Sequence, residues 1–162
     1  MTGRATGAGV GATWARGFGV TLARGDAADA ATSAGLAHAL ADGIERGYGG
    51  ALPPFPEASE WYRVRRSRRT VGVLVLRRDC PDPGAVAVLA IAIDPAERGS
   101  ATGTKALLAM ERQLVREGAR RWLARVPRTN GRGLYFMLRA GLTPIPPRDD
   151  GDATWFARKP HA

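Results

Sequence analysis

The sequence predicts a single α+β domain, a mixed α/β arrangement built on one sheet. Three observations carry this reading. The chain has 162 residues, the usual length of one domain. Its hydrophobic pattern runs strand, helix, loop, three strands, helix, strand, helix and two strands. Residues 85–93 form an almost unbroken apolar run, as expected of a central strand buried on both faces.

Each element follows from its own signal. Residues 1–19 are rich in Gly, Ala and Thr without a hydrophobic period, so a loose tail is expected before a domain spanning 20–162. The run from Gly7 to Ala12 lacks a preceding strand and ends in Ala where a dinucleotide loop needs its last Gly. Val20, Thr21 and Leu22 read as a short strand. Asp26 is placed to cap a helix whose apolar stripe is Leu36, Leu40 and Ile44, ending near Gly47. His38 lies off that stripe and reads as solvated. Pro53, Pro54 and Pro56 make residues 49–59 a loop. Residues 61–66 and 70–76 are β-like, joined by a turn at Ser67 and Arg68, and 80–84 is a further turn. After Pro95 the period becomes helical through Leu107, Leu108, Glu111, Leu114 and Val115, with Gly118 as the stop. A strand over 122–126, a helix over 133–139 closed by Gly141, and strands over 142–145 and 154–157 complete the chain.

Composition narrows the function classes. Lys and Arg number 24 against 15 Asp and Glu, for a net charge of +9, but only Lys105 and Lys159 are lysines. Arg-rich, Ala-rich usage is what a GC-rich genome produces whatever the function, so charge alone does not point to nucleic acid. The densest basic patch is Arg63, Arg65, Arg66, Arg68 and Arg69; it has no interleaved aromatics beyond Trp61 and Tyr62, unlike a single-strand-binding platform. One cysteine, Cys80, allows neither an intrachain disulfide nor a Cys-rich zinc site. No apolar run approaches the roughly 18 residues of a membrane span, and the N-terminus lacks the apolar core of a secretory signal. A cytoplasmic location without membrane contact is therefore expected.

The chemistry is expected at the strand-to-helix junction from Asp94 to Lys105. The first amides of a helix have no intrahelical partner, and the positive end of its dipole lies there. Small residues let a phosphate approach such a backbone closely. This is not a Walker loop, because Gly103 is followed by Thr104 and only then by Lys105.

Arg98-Gly99-Ser100-Ala101-Thr102-Gly103, three residues after Pro95, resembles the acyl-CoA signature of the GCN5-related N-acetyltransferases, the GNAT superfamily. Asn130 after a strand, with Gly141-Leu142 eleven residues on, is similar to a second marker of that family. The resemblance runs from about Val20 to Ala157. Ala101 stands where the family usually has Gly, and Leu142 where it usually has Phe.

The resemblance implies a mostly antiparallel, splayed sheet flanked by helices, with acetyl-CoA (an acyl-CoA) as cosubstrate. The pantetheine arm would lie between two central strands. Arg98, Gly99, Ser100, Ala101, Thr102, Gly103 and Thr104 would hold the pyrophosphate, with Asn130 on the cofactor side. Amides near Ala92 and Ile93 would polarise the thioester carbonyl for direct attack by a small-molecule amine. Three residues are catalytic candidates. Tyr135 would be the acid for the leaving thiolate, although the family's tyrosine position is occupied here by Met137, about 200° round the helix from Tyr135. Glu57 and Glu60 would be acids on the acceptor side. Trp61 and Tyr62 either line the same cleft or pack at a strand start. Two other readings stand beside this one: an acyl-CoA-binding module without transfer, and recruitment of the fold to biosynthetic tailoring. The acceptor and the oligomeric state, homodimer included, are not legible.

Overall fold

The computed structural model describes residues 11–31, 33–40, 57–146 and 152–158. Its strands are β1 (Thr13–Gly17), β2 (Val20–Gly25), β3 (Glu60–Arg66), β4 (Arg69–Arg78), β5 (Ala85–Ile93), β6 (Arg121–Pro127), β7 (Leu142–Pro144) and β8 (Ala153–Arg158). The helices are α1 (34–40), α2 (Thr102–Arg116) and α3 (Gly131–Arg139), with 3-10 turns at Ala27–Ala31 and Pro95–Glu97. All strands join one sheet in the order β1-β2-β3-β4-β5-β6-β8-β7. Every pairing is antiparallel except β5 with β6. A parallel pair needs a crossover, and α2 supplies it. The expected α+β class and mostly antiparallel sheet are what the chain adopts.

Alternation along the strands sorts the side chains between two faces. On one face, Tyr62, Val64, Leu74, Leu76, Val86 and Val88 pack under α2 and α3. Leu107, Met110 and Leu114 of α2 are fully buried there, each stabilising the contact by about 2 kcal/mol, which fixes that helix and its N-terminus against the sheet. On the other face, Leu36 and Leu40 of α1 cover Val73 and Ala92, while Val75, Ala87, Leu89, Leu123 and Trp155 form a third cluster. Among the described residues, no helix is long and apolar enough to cross a membrane.

Two expectations are corrected. The tail assigned to 1–19 includes a strand: β1 pairs with β2 through a tight turn at Phe18 (φ 56°) and Gly19 (φ 81°), the paired positive dihedrals that suit a hairpin. Trp14 anchors this edge, stacking on Tyr62 at 4.3 Å between centroids and donating to Glu117 at 2.6 Å. Residues 1–10 lie outside the described residues. The helix expected after Asp26 is two pieces. Asp26 Oδ1 accepts from the Ala28 amide at 2.9 Å and opens only the 3-10 turn. Ser33 Oγ then accepts from the Leu36 amide at 3.0 Å and opens α1, on which His38 is exposed as expected. Ile44, the helix end near Gly47, the prolines of the loop and the turn at 147–151 also lie outside the described residues.

The sheet divides at its centre. The register passes from Val75↔Ala90 to Leu76↔Val88, so Leu89 is an extra residue in β5. Such a bulge bends its strand. β5 pairs with β6 from Ala85↔Arg121 to Val88↔Ala124 and no further, while β6 stays bonded to β8 as far as Pro127. From Leu89 onward the two central strands part.

Candidate active site

The parting strands open a cleft of about 640 Å³. It is walled by residues 88–93 of β5, 125–127 of β6, much of the loop between β5 and α2, and α3. A volume of this size suits a substantial organic ligand.

The ladder decides which β5 amides face the cleft. The Asp94 amide donates to the Val71 carbonyl at 2.8 Å. Antiparallel alternation then aims the Ala92 and Ala90 amides at β4 as well, in the pairs Val73↔Ala92 and Val75↔Ala90. The amides of Ile91 and Ile93 point the other way, into the gap that β6 has left. Of the two donors expected at Ala92 and Ile93, only Ile93 faces the cleft; Ala92 is corrected, because its amide belongs to the ladder with β4.

At the mouth, α2 begins without a side-chain cap. Its cap residue Ala101 is left-handed (φ 57°, ψ 28°), and Gly99 before it has φ 96°. The first closing bond runs from the Lys105 amide to the Ala101 carbonyl at 2.9 Å, so the amides of Thr102, Gly103 and Thr104 lie in the open first turn. Gly99, Ala101, Thr102, Gly103 and Thr104 line the cleft, as does the exposed Arg98; Ser100 stands behind the loop. The Ser100 hydroxyl lies 3.0 Å from that of Thr102, and Arg66 Nη1 donates to both, at 2.6 and 3.3 Å. Gly103 has a second reason to be glycine: a Cβ there would sit 3.0 Å from the ring of Phe136 on α3.

Asn130 lines the cleft and also caps α3, its Oδ1 accepting from the Gly133 amide at 3.0 Å. Tyr135, expected to point away, lies in the cleft wall together with Met137, because the wall follows α3 over more than one turn. The Tyr135 side chain is 61% exposed, and Arg139 stands 5.7 Å from its ring centroid with Nη1 3.5 Å from the hydroxyl.

The two glutamates are not brought to the cleft. Glu60 is held by Arg78 at 3.0 Å and Arg24 at 3.5 Å, and it accepts from the Tyr62 hydroxyl at 3.3 Å. Burial first, and the Glu60 charge next, push the Tyr62 hydroxyl above the ordinary tyrosine range. Glu57 is exposed in the turn before β3 and is absent from the described cleft wall. Tyr62 packs on Trp14 and Trp61 on the opposite face, so both aromatics are packing residues. Asp94 is a structural acid: the Ser33 hydroxyl at 2.6 Å and the Ala96 amide at 3.0 Å hold its carboxyl below the usual range.

Of the arginines on the cleft wall, the sequence points only to Arg98; the fold adds Arg125, Arg132 and Arg139. Glu97 is the one carboxylate among the described lining residues, and it is ion-paired with Arg69. A concave wall of this sign concentrates anions.

The chain matches the model of the acetyltransferase (GNAT) family over residues 34–141. Its structure is similar to an acetyltransferase from Thermus thermophilus, with 20% identity, a TM-score of 0.65, and 93% of this chain and 99% of that one covered. It is similar to a GCN5-related N-acetyltransferase from Brucella melitensis, with 16% identity, a TM-score of 0.67, and 88% and 76% covered. It also resembles the PaiA N-acetyltransferase from Thermoplasma acidophilum, solved in complex with coenzyme A, with 14% identity, a TM-score of 0.56, and 76% and 90% covered. No curated protein sequence matches the chain.

Proposed function

This chain belongs to the GNAT acetyltransferase family, and from that premise we propose that it transfers an acyl group, acetyl first among them, from acyl-CoA to the amine of a small molecule by direct attack. The observation that carries the proposal is the split between β5 and β6, which leaves the Ile91 and Ile93 amides facing a cleft that opens onto the first turn of α2. The cosubstrate contributes an activated thioester. The chain does the rest.

Unpartnered amides at Thr102, Gly103 and Thr104, the positive end of α2 and the arginines of the wall suit a diphosphate. Free backbone groups along β5 suit the amides of an extended arm, which they receive as they would a neighbouring strand. The Ile93 amide, with Ile91 one pair further in, donates to the thioester carbonyl and stabilises the negative charge that gathers on its oxygen. As the amine nitrogen bonds to the carbonyl carbon, the carbon–sulfur bond breaks. Tyr135 gives its proton to the departing sulfur, and the proton of the attacking amine passes to water at the open mouth.

One observation favours acyl-CoA binding without transfer: the only carboxylate on the described wall, Glu97, is already paired with Arg69. The same experiment separates the two. Calorimetry with acetyl-CoA is followed by thiol release across a panel of amines. Transfer requires saturable binding and amine-dependent thiol that rises with pH. Binding without thiol for any amine leaves the non-catalytic reading.

A further inference from the structure

We propose that Arg66 is a positioning residue for the acyl-CoA loop: from the tip of the β3–β4 hairpin it sets the spacing of Ser100 and Thr102, and so presents the first amides of α2 to the diphosphate. The inference rests on the acyl-CoA reading above.

The loop needs such a device. Ala101 is a left-handed residue with no side chain able to cap the helix it opens, and Gly99 at φ 96° adds a second freely turning position. Arg66 closes on the residues either side of Ala101, through the Ser100 hydroxyl at 2.6 Å and the Thr102 hydroxyl at 3.3 Å. These two hydroxyls also meet each other at 3.0 Å. Among the described residues, Thr102 is the one buried polar residue of the core, only 2% exposed, so its hydroxyl has little access to water as an alternative partner.

The hairpin is built to hold the guanidinium still. Ser67 (φ 47°) and Arg68 (φ 68°) form a tight turn of the hand that suits a twisted hairpin, with Arg66 paired to Arg69. Arg69 in turn forms an ion pair with Glu97 at the other end of the loop. The hairpin tip thus grips the loop at both ends.

The choice of a cation is informative. A positive charge beside a helix N-terminus opposes the helix dipole, so arginine is a poor choice for stability alone. It becomes favourable when an anion occupies the other side of the same loop. Arg66 does not line the cleft, and therefore acts through Ser100 and Thr102.

The test is calorimetry of acetyl-CoA binding, with melting measured in its absence and presence. Arg66→Gln should weaken binding roughly tenfold, the size of a charge-assisted hydrogen bond, and should shrink the ligand-induced rise in Tm. The Tm of the free protein should hold or rise slightly, which loss of a merely structural contact would not allow. Arg66→Lys, which keeps the charge and donors, should recover part of the affinity. In a Ser100→Ala, Thr102→Val background, Arg66→Gln should cause no further loss. Equal binding by wild type and Arg66→Gln overturns the proposal. So does a full additional loss in the double-variant background, which would mean that the charge acts on the ligand directly. A wild-type chain that takes up no acetyl-CoA overturns the acyl-CoA reading itself.

Discussion

Replacing Ala101 tests the loop by two substitutions of opposite sign. Ala101 caps α2 at φ 57° and ψ 28°, a left-handed conformation that an L residue with a Cβ adopts at an expense of about 1–2 kcal/mol. Ala101→Gly removes that strain but gives the unfolded chain more freedom, worth about 0.4–1 kcal/mol in the other direction. The balance is a gain of roughly 0.5–1 kcal/mol, or about 1–4 °C in Tm for a chain of this size. Ala101→Val puts a branched Cβ into the same dihedrals and should lose at least about 1 kcal/mol. Because Ala101 is exposed and lines the cleft, the glycine variant should bind acetyl-CoA at least as well as wild type. Chemical and thermal unfolding give the stabilities, and calorimetry gives the affinity. A glycine variant that melts below wild type would refute the strain argument; one that binds acetyl-CoA more weakly would refute the placement of Ala101 at the ligand.

Three further outcomes follow from particular contacts. Tyr135→Phe should lower turnover roughly 10²-fold with acetyl-CoA affinity unchanged, and full turnover would return Tyr135 to a surface role. Gly72→Ala should destabilise the fold by about 2–3 kcal/mol in denaturant titrations, since its Cβ would meet the Ala92 carbonyl at 2.5 Å and Ile93 Cδ1 at 2.6 Å; near wild-type stability would contradict the β4–β5 register. Partial burial by itself would raise the Glu117 carboxyl, but donors from Trp14, Gln113 and Arg78 outweigh it and hold the carboxyl below the ordinary range. A depressed carboxylate stabilises the fold above its unfolded pKa, and that stability is lost as pH falls through the folded value, so Glu117→Gln should flatten the acid limb of Tm against pH.

What was legible in the sequence was local. The apolar run of 85–93, the helical stripe through Leu107 and Leu114, and the small residues between Arg98 and Gly103 each carry their signal within a few positions. What was not legible depends on partners far along the chain. Residues 13–17 have too little alternation to announce a strand; Trp14 makes them one by meeting Tyr62 and Glu117, the latter 103 positions away. Glu60 looks free in a loop-to-strand context, yet arginines from β2 and β4 converge on it. The amide that faces the cleft is set by ladder parity, through the Asp94–Val71 bond and the extra residue Leu89, and no pattern of side chains records either.

The arginines resolve the meaning of the net charge. The basic run on the β3–β4 hairpin is the densest in the chain, but most of it is engaged within the protein. Arg63 forms an ion pair with Asp29 at 2.8 Å, Arg65 donates to the Arg68 carbonyl at 2.8 Å, Arg66 holds Ser100 and Thr102, and Arg69 pairs with Glu97. These contacts turn much of the run toward the chain's own loop and the turn after β2, while Arg68 and Arg69 stay exposed. The arginines of the cleft wall are differently placed. Arg98, Arg132 and Arg139 come from the α2 approach and from one helix, and they surround the opening where a diphosphate would enter. Under the two proposals above, the same residue type would play two parts: guanidinium groups on the hairpin would shape the loop, and those on the wall would draw the anion to it. Added salt should consequently weaken acetyl-CoA binding mainly through the wall arginines, while the loop geometry set by Arg66, shielded by a buried threonine, should respond much less.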